Sequence, residues 1–474
     1  MEKLQEYFHG MLVKKNCKND QFSILGIPSF IRDWFIRKYA DKNGDIDSDF
    51  VASKIRDILP RKENVNVILN KLFCGEQVKF LAKIEIDIDL KKNIISFAIP
   101  DLGIENKETY ISSEVWEDCK DYILSANGAV WGILTLAMQK VQIGKKEENK
   151  ISLRSFVNFM PYTIDLEFFK KARKAFDFEE WVDVVLGAID YNPQAFKNID
   201  EKLALLTRLL PFVEKRLNMI ELAPKGTGKS YLFSQISKFG WLSNGGVMTR
   251  AKLFYDMQTK TDGLVSCKDY VALDEVSSIR FTDINEMRGA MKGYLESGTY
   301  SVGNKMGNGD AGLILLGNIH QDDMNIEKDM FSTLPDVFHE SALLDRFHGF
   351  IEGWKIPRMS ENKKANDWAI NCEYYSSIMH ELREDITYRA LVDEILVVPS
   401  DADTRDVTTI KRITTAFVKL LFPHWQKESD VEKEYFEKYC LNPAVHMRYI
   451  IKTQMAIMDP EYAGKPIAQI AIKE

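Results

Sequence analysis

The sequence predicts an α/β fold: a parallel sheet between helices, a helical lid after it, and before it a mixed α+β region holding a small β barrel. Three observations predict this. Largely apolar runs at Leu217–Leu222, Tyr270–Leu273 and Leu313–Leu316 read as buried strands, each ending in a glycine-rich turn or a polar residue. Helical spacing fills 363–395 and 405–422. From Val78 to Leu90 every second residue is apolar (Val78, Phe80, Ala82, Ile84, Ile86, Ile88, Leu90), the period of a strand with one face in a core.

At 474 residues the chain is too long for one core, and its motifs and periodicities divide it into 1–200, 201–357 and 358–474. A hydrophobic share of 45% with 28% charged residues is that of an ordinary globular protein. The net charge of −7 excludes a bulk nucleic-acid binder, so any such contact must come from local basic patches. The 6 cysteines (Cys17, Cys74, Cys119, Cys267, Cys372, Cys440) include no CxxC pair, which excludes the usual zinc spacings and reads as reduced, cytoplasmic thiols. The amino terminus lacks the apolar stretch of a signal peptide. The longest apolar run, Ala129–Met138, is too short to cross a bilayer, so no membrane partner is expected.

In the first region, Ile31, Trp34, Phe35 and Tyr39 share a helix face, and Asp49 is the expected cap of a second helix carrying Val51, Ile55, Ile58 and Leu59. The basic residues on these helices form either a solvated face or a nucleic-acid contact. The alternating strand turns at Lys91-Lys92-Asn93 into a second strand, Ile94–Ile99. Further strand runs at Ala129–Met138 and Ile151–Phe159 suggest a barrel or sandwich, a five-stranded nucleic-acid-binding barrel being one candidate. Over 166–190, Lys170, Lys171, Arg173 and Lys174 lie among Phe168, Phe169 and Phe176, which are either core or a single-strand-binding surface.

The chemistry concentrates after residue 216. Ala223-Pro224-Lys225-Gly226-Thr227-Gly228-Lys229-Ser230 matches the phosphate-loop pattern GxxxxGK[ST] except that alanine takes the first glycine position. Gly226 and Gly228 let backbone N–H groups approach phosphates, Lys229 reaches the β and γ phosphates, and Ser230 offers a hydroxyl to Mg²⁺. Helical spacing from Ser230 sets the phosphates at a helix N-terminus. Tyr270–Leu273 leads into Asp274-Glu275: Asp274 is expected to hold Mg²⁺ through water and Glu275 to polarise the attacking water. ATP and Mg²⁺ are the cofactors this spacing implies. Asn318 ends the third buried strand, where it can position that water. Arg346, at a helix end, suits a neighbouring subunit's γ phosphate; the alternative is a surface pair with Asp345.

Lys229, Asp274–Glu275, Asn318 and Arg346 occur in the order found in AAA+ ATPases. The stretch YLESGTYSVGNKMGNGDAGLILLGN (294–318) resembles the hairpin of MCM-type helicases and Lon-like proteins. The phosphate loop, SNGGVMTRAKLFYDM, VALDEVSSIRF, MKGYLESG and ILLGNI together resemble the BrxL family, Lon-like AAA+ proteins of BREX anti-phage systems. The resemblance is strong over 200–357 and extends to DTRDVTTIKR and NPAVHMRYIIKTQMAIMDPEY. It implies a bacterial, cytoplasmic, ring-forming ATPase, a hexamer or two stacked rings, that binds duplex DNA and works with other BREX proteins. Arg405 matches the lid arginine that contacts nucleotide in such enzymes, and Arg412, seven residues on, shares its helix face. The hairpin would project into the ring channel with Lys305 facing the nucleic-acid backbone; Arg250 and Lys252 are further cations suited to phosphates. Longer Lon-like relatives carry a serine–lysine protease domain after the lid. Only some fifty residues follow Pro423 here, too few for another domain, so peptidase activity is not expected of this chain.

The reading is therefore a ring-shaped, ATP-driven DNA motor of phage defence. Two alternatives stay open. One is a protein unfoldase, which would need an aromatic grip such as Trp241 or Phe254. The other is an ATP-gated scaffold that binds DNA and recruits other defence proteins without moving along it.

Overall fold

The computed structural model describes residues 2–15, 27–41, 43–89, 94–125, 129–143, 146–159, 161–258, 260–467 and 469–473. Cys17, Leu90 and the expected turn at Lys91–Asn93 lie outside the described residues. The chain forms two compact units. One contains Phe35–Thr163; the other takes its described residues from Met1–Asp20, Gly26–Trp34 and Ile164–Glu474.

In the first unit, strands β1 (Val78–Asp89), β2 (Ile94–Ala98), β3 (Thr109–Ile111), β4 (Ala129–Ile143) and β5 (Lys146–Asn158) close into a barrel in the order β1-β2-β3-β5-β4. All pairs are antiparallel except β3 with β5. A parallel pair cannot be joined by a hairpin; the chain passes through helix α1 (Ser113–Ser125) and β4 before β5 returns beside β3. Phe80, Ile84, Phe97, Leu134 and Leu153 fill the interior. The alternation of β1 is buried at Val78, Phe80, Ala82 and Ile84, whereas Ile88 is 44% exposed. From Ile86 onward β1 pairs with β2 alone, so that end of the strand is covered from one side only. The helix at Ser48–Ile58 is capped by Asp47, not Asp49: the Asp47 carboxylate accepts from the N–H groups of Asp49 (3.1 Å) and Phe50 (3.0 Å). The helix starts one residue before Asp49, which places that carboxylate in the first turn beside the positive helix end.

The second unit is built on a parallel sheet. Its strands are β6 (Met219–Ala223), β7 (Gly240–Asn244), β8 (Tyr270–Asp274), β11 (Gly312–Asn318) and β12 (Gly349–Glu352), in the order β12-β6-β11-β8-β7. A hairpin of β9 (Thr299–Val302) and β10 (Lys305–Asn308) precedes β11. Every residue of β6 and β8 is buried, because helices cover both sheet faces. Helix α2 (Lys229–Gln235) follows β6, and α3 (Ile284–Ser297) leads into the hairpin.

The lid differs in part from its helical expectation. Residues Cys372–Glu384 and Thr387–Ile395 are helices, but Trp368–Ile370 is a strand paired with Leu12–Lys14 near the other end of the chain. That partner is too distant in sequence for local spacing to show. Helix α4 (Thr404–Leu421) is as expected. Residues 433–458 run as one helical rod: Lys433–Phe436, a wider π turn at Glu437–Leu441, then α5 (Asn442–Met458). The widened turn lies where Pro443 would otherwise press on the carbonyl four residues back.

Part of the basic–aromatic cluster of 166–190 is core. Phe169 and Phe176 are buried, and so are Lys170 and Arg173. Lys170 donates to Asp385 (3.0 Å) and Gln426 (3.2 Å), and Arg173 to the carbonyls of Leu421 (3.1 Å) and Phe176 (2.6 Å). With the Lys170 and Arg173 cations consumed internally, Phe168, Lys171 and Lys174 are the cluster residues left exposed. Among the described residues no helix is long and apolar enough to cross a membrane.

Candidate active site

The β6 strand ends at Ala223, and the chain turns through Pro224, Lys225, Gly226, Thr227 and Gly228 into α2, which starts at Lys229. Gly226 (φ 84°) and Gly228 (φ 76°) are left-handed, the conformation glycine adopts without cost. Ala223 is still strand and keeps negative φ, so the missing first glycine imposes no strain. Lys229 is 8% exposed. Its ammonium donates to Asn318 Oδ1 (3.0 Å) and the Ala223 carbonyl (3.4 Å). Burial lowers its pKa, the signature of a cation placed in a dry site where an anion would be welcome.

Asn318 reaches Lys229 because β11 lies beside β6 with Asn318 opposite Ala223. On the far side of β11, β8 delivers Asp274, whose carboxylate accepts the Ser230 hydroxyl. Lys229, Ser230, Asp274 and Asn318 thus meet at the C-terminal ends of three adjacent strands, where parallel α/β sheets collect ligands. Glu275 follows, exposed and in the left-handed region at φ 48°, with its N–H donating to Asp274 Oδ1 (2.8 Å). A non-glycine residue pays for that conformation, and such strain gathers at functional sites. Ser230 and Asp274 place two hard oxygen donors at one point. That set fits Mg²⁺, which keeps most of its waters and takes few protein ligands.

Sequence reasoning missed Arg208. Its wholly buried guanidinium grips Glu221 of β6 through Nε (3.0 Å) and Nη2 (2.6 Å) and also reaches Thr227 in the phosphate loop. A carboxylate in the middle of an apolar strand was the signal, since such a charge requires a partner.

The structure does not bring Arg346 and Arg405 to the phosphate loop. Strand β12 begins at Gly349 opposite Met219, the start of β6, and the His348 N–H donates to the Asn218 carbonyl (2.8 Å). Arg346 precedes that point, whereas the phosphate loop leaves the other end of β6, roughly 15 Å away along the strand. Arg346 stands 2.8 Å from Glu296 at the end of α3. Arg405, at the start of α4, also pairs with Glu296 (2.9 Å) and with Asp345, so the alternative Asp345 pairing falls to Arg405. Arg346, Arg405 and Arg412 line one cavity of about 390 Å³ with Glu296, Asp345 and His348.

The cations expected at DNA are placed as follows. Lys305 opens β10 after the two-residue Gly303-Asn304 turn, its ammonium 5.1 Å from the Tyr255 ring centre; its neighbour Met306 is 76% exposed. Lys252 lies over Trp241 (4.7 Å), and Arg250 pairs with Glu286. Phe254 is wholly buried in the core and is not presented as a grip for peptide, whereas Trp241 is partly buried beneath Lys252.

Sequence profiles of known families agree with this geometry. Residues 151–467 match the ATPase domain described as Lon-like protease BrxL-like, which makes the parallel-sheet unit an ATPase-family domain. Residues 6–138 match the N-terminal region described as BREX system Lon protease-like protein BrxL. The chain belongs to the BrxL family. It is 28% identical over 465 residues to the Lon-like protease BrxL of Escherichia coli O9:H4 (strain HS), covering 95% of this chain and 64% of that protein. It is 28% identical over 443 residues to the Lon-like protease BrxL of Bacillus cereus (strain H3081.97), covering 91% and 64%. The chain therefore spans about 64% of the length of these curated relatives.

Proposed function

We propose that this chain is an AAA+ ATPase that assembles head to tail into a ring, binds duplex DNA and acts in BREX phage defence in the bacterial cytoplasm. The observation that carries the reading is the separation of the two arginines from the phosphate loop. Lys229, Asp274, Glu275 and Asn318 sit at one sheet edge, Arg346 and Arg405 at the other. One copy cannot close its own site; a neighbour presenting its arginine edge can. Repeating that heterologous contact generates a ring when its rotation closes.

Within the site, Lys229 and the loop N–H groups hold the phosphates, Asn318 and Glu275 orient and deprotonate the attacking water, and Arg346 and Arg405 of the next copy receive the developing negative charge. Mg²⁺, when bound near Ser230 and Asp274, supplies further charge neutralisation. The five-stranded barrel is of a size used for oligonucleotides; Lys305 is exposed on the hairpin, and Arg250 and Lys252 would exchange Glu286 and Trp241 for DNA phosphates. The unfoldase alternative is weakened by the burial of Phe254. A DNA-bound scaffold remains the second reading, because a hairpin with Lys305 and Met306 exposed supports a clamp as well as a motor.

ATP turnover measured alone, with duplex DNA and with an unfolded protein tests this directly. Stimulation by DNA is expected. Stimulation by unfolded protein alone would move the reading to an unfoldase; a separate assay of movement along DNA that found binding without translocation would move it to a scaffold.

A further inference from the structure

Strand β6 is buried at every residue, yet its centre is Glu221, with 0% exposure. A carboxylate there is strongly unfavourable unless paired and hydrogen-bonded. Arg208, from the short helical turn at Thr207–Leu209 and also 0% exposed, meets it with a two-pronged contact, Nε to Oε2 at 3.0 Å and Nη2 to Oε1 at 2.6 Å. The fork does not end there. Nη1 donates to the Thr227 carbonyl at 2.7 Å and Nη2 to the Thr227 hydroxyl at 3.0 Å. Thr227 is the residue between the two left-handed glycines, and it is 1% exposed.

We propose that Arg208 is a positioning residue that fixes the phosphate loop in its anion-receiving shape, with Glu221 as its anchor. The peptide group is planar and trans, so its N–H points opposite its C=O. Pinning the Thr227 carbonyl inward against Arg208 turns the Gly228 N–H outward, away from the core and toward the space the loop encloses. The Thr227 hydroxyl bond removes the remaining freedom of that side chain. Arg208 also places a fixed positive charge behind the loop, one of the influences acting on Lys229. Glu221 offsets the charge of Arg208, so the arrangement can stay buried in the absence of any ligand. Gly353 leaves room for it, since a Cβ there would lie 2.9 Å from Glu221 Oε1 and 2.2 Å from the Ala223 Cβ. Lysine cannot replace Arg208: an ammonium is a point charge that cannot span Glu221 and Thr227 with a rigid fork.

The inference rests on the phosphate reading of 224–230, and its test separates the two. Amide hydrogen exchange is measured on the full chain without nucleotide, followed by titration with a fluorescent ATP analogue. Arg208→Lys should speed exchange of the 226–229 amides at least tenfold while the amides of β8 stay within twofold of wild type, and nucleotide affinity should fall about tenfold. Should Arg208→Lys not fold, the neutral pair Arg208→Gln with Glu221→Gln gives the same comparison without a stranded charge. A folded variant whose loop exchanges as slowly as wild type overturns the proposal, and so does faster exchange spread evenly over β6, β8 and the loop, which marks a general core defect. If the wild-type chain bound no nucleotide, the phosphate reading would fall, while loop exchange would still decide the role of Arg208.

Discussion

Arg346 and Glu296 face each other at 2.8 Å at the sheet edge opposite the phosphate loop. The same carboxylate holds Arg405 at 2.9 Å. One half-exposed anion therefore occupies both arginines that the proposed ring would turn toward a neighbour's nucleotide. A pair this exposed is worth about 0.2–1 kcal/mol. Glu296→Gln should thus tighten assembly in the presence of a non-hydrolysable ATP analogue by up to about fivefold, read by sedimentation against protein concentration. Weaker assembly would mean that Glu296 builds the interface instead of competing with it.

Lys229 and Glu275 should separate binding from hydrolysis. Removing the buried ammonium in Lys229→Ala takes away the charge that meets the phosphates, and nucleotide affinity should fall at least about tenfold, as expected when a charged hydrogen bond is removed. Glu275→Gln keeps the shape and loses the base, so ATP should bind and persist while turnover drops by about 10²–10⁴. Turnover at the wild-type rate in Glu275→Gln would show that another group is the base.

Lys305 is the one cation in the hairpin sequence 299–308. A phosphate contact carries no base information, so Lys305→Ala should weaken DNA binding evenly across sequences. It should also flatten the salt dependence by about 0.9 for each phosphate no longer neutralised. Filter binding at several salt concentrations, with assembly checked separately, reads both. Unchanged affinity and slope would move the DNA path to Arg250 and Lys252.

How much of the fold and site is legible in the chain follows from how local each signal is. Strands β6, β8 and β11 and the roles of Lys229, Asp274 and Asn318 rest on short runs, and the structure gathers those three residues at one sheet edge. The strand at Trp368–Ile370 lies within a stretch of helical spacing, and its partner, Leu12–Lys14, is at the far end of the sequence. The cluster at Lys170–Lys174 resembles a nucleic-acid surface because spacing cannot reveal that Asp385 and Gln426 consume one of its charges. Arg405 matches a lid arginine by motif, but its place beside Arg346 depends on how α4 packs, which no motif carries.

His348 gives the protein a titration of its own. It is buried, its Nδ1 lies 2.9 Å from the Asn218 N–H and its Nε2 lies 2.9 Å from Arg412. Nδ1 accepts from the Asn218 N–H, so a second ring proton, which would have to go there, breaks that bond. Burial, with Arg412, Arg448 and Arg216 nearby, pushes the His348 pKa well below its ordinary value of 6.5. His424 is lowered to about 4, again chiefly by burial. Below the ordinary histidine pKa the unfolded chain binds protons that the folded chain refuses, so stability must fall as the pH drops from about 6.5 toward 4. Each such histidine contributes at most about 1.4 kcal/mol per pH unit. Denaturant unfolding from pH 7 to 5 should show the fall, and His348→Gln should remove close to one proton from its slope. An unchanged slope in that variant would mean His348 is protonated in the folded protein.

The central claim is that each ATP site is completed by the next copy. Subunits carrying Arg346→Ala retain an intact phosphate loop, and subunits carrying Lys229→Ala retain an intact arginine edge. Each homogeneous assembly should be inactive, since an arginine supplied to a phosphoryl-transfer site contributes roughly 10³–10⁵ in rate. Mixed, they form some boundaries at which an intact loop meets an intact arginine. ATP turnover of the mixture, titrated from one parent to the other with co-assembly confirmed by differently tagged subunits, should rise above both parents and peak near equal proportions. Turnover as low as either parent at every ratio, in assemblies that demonstrably contain both subunits, would contradict a site shared between copies.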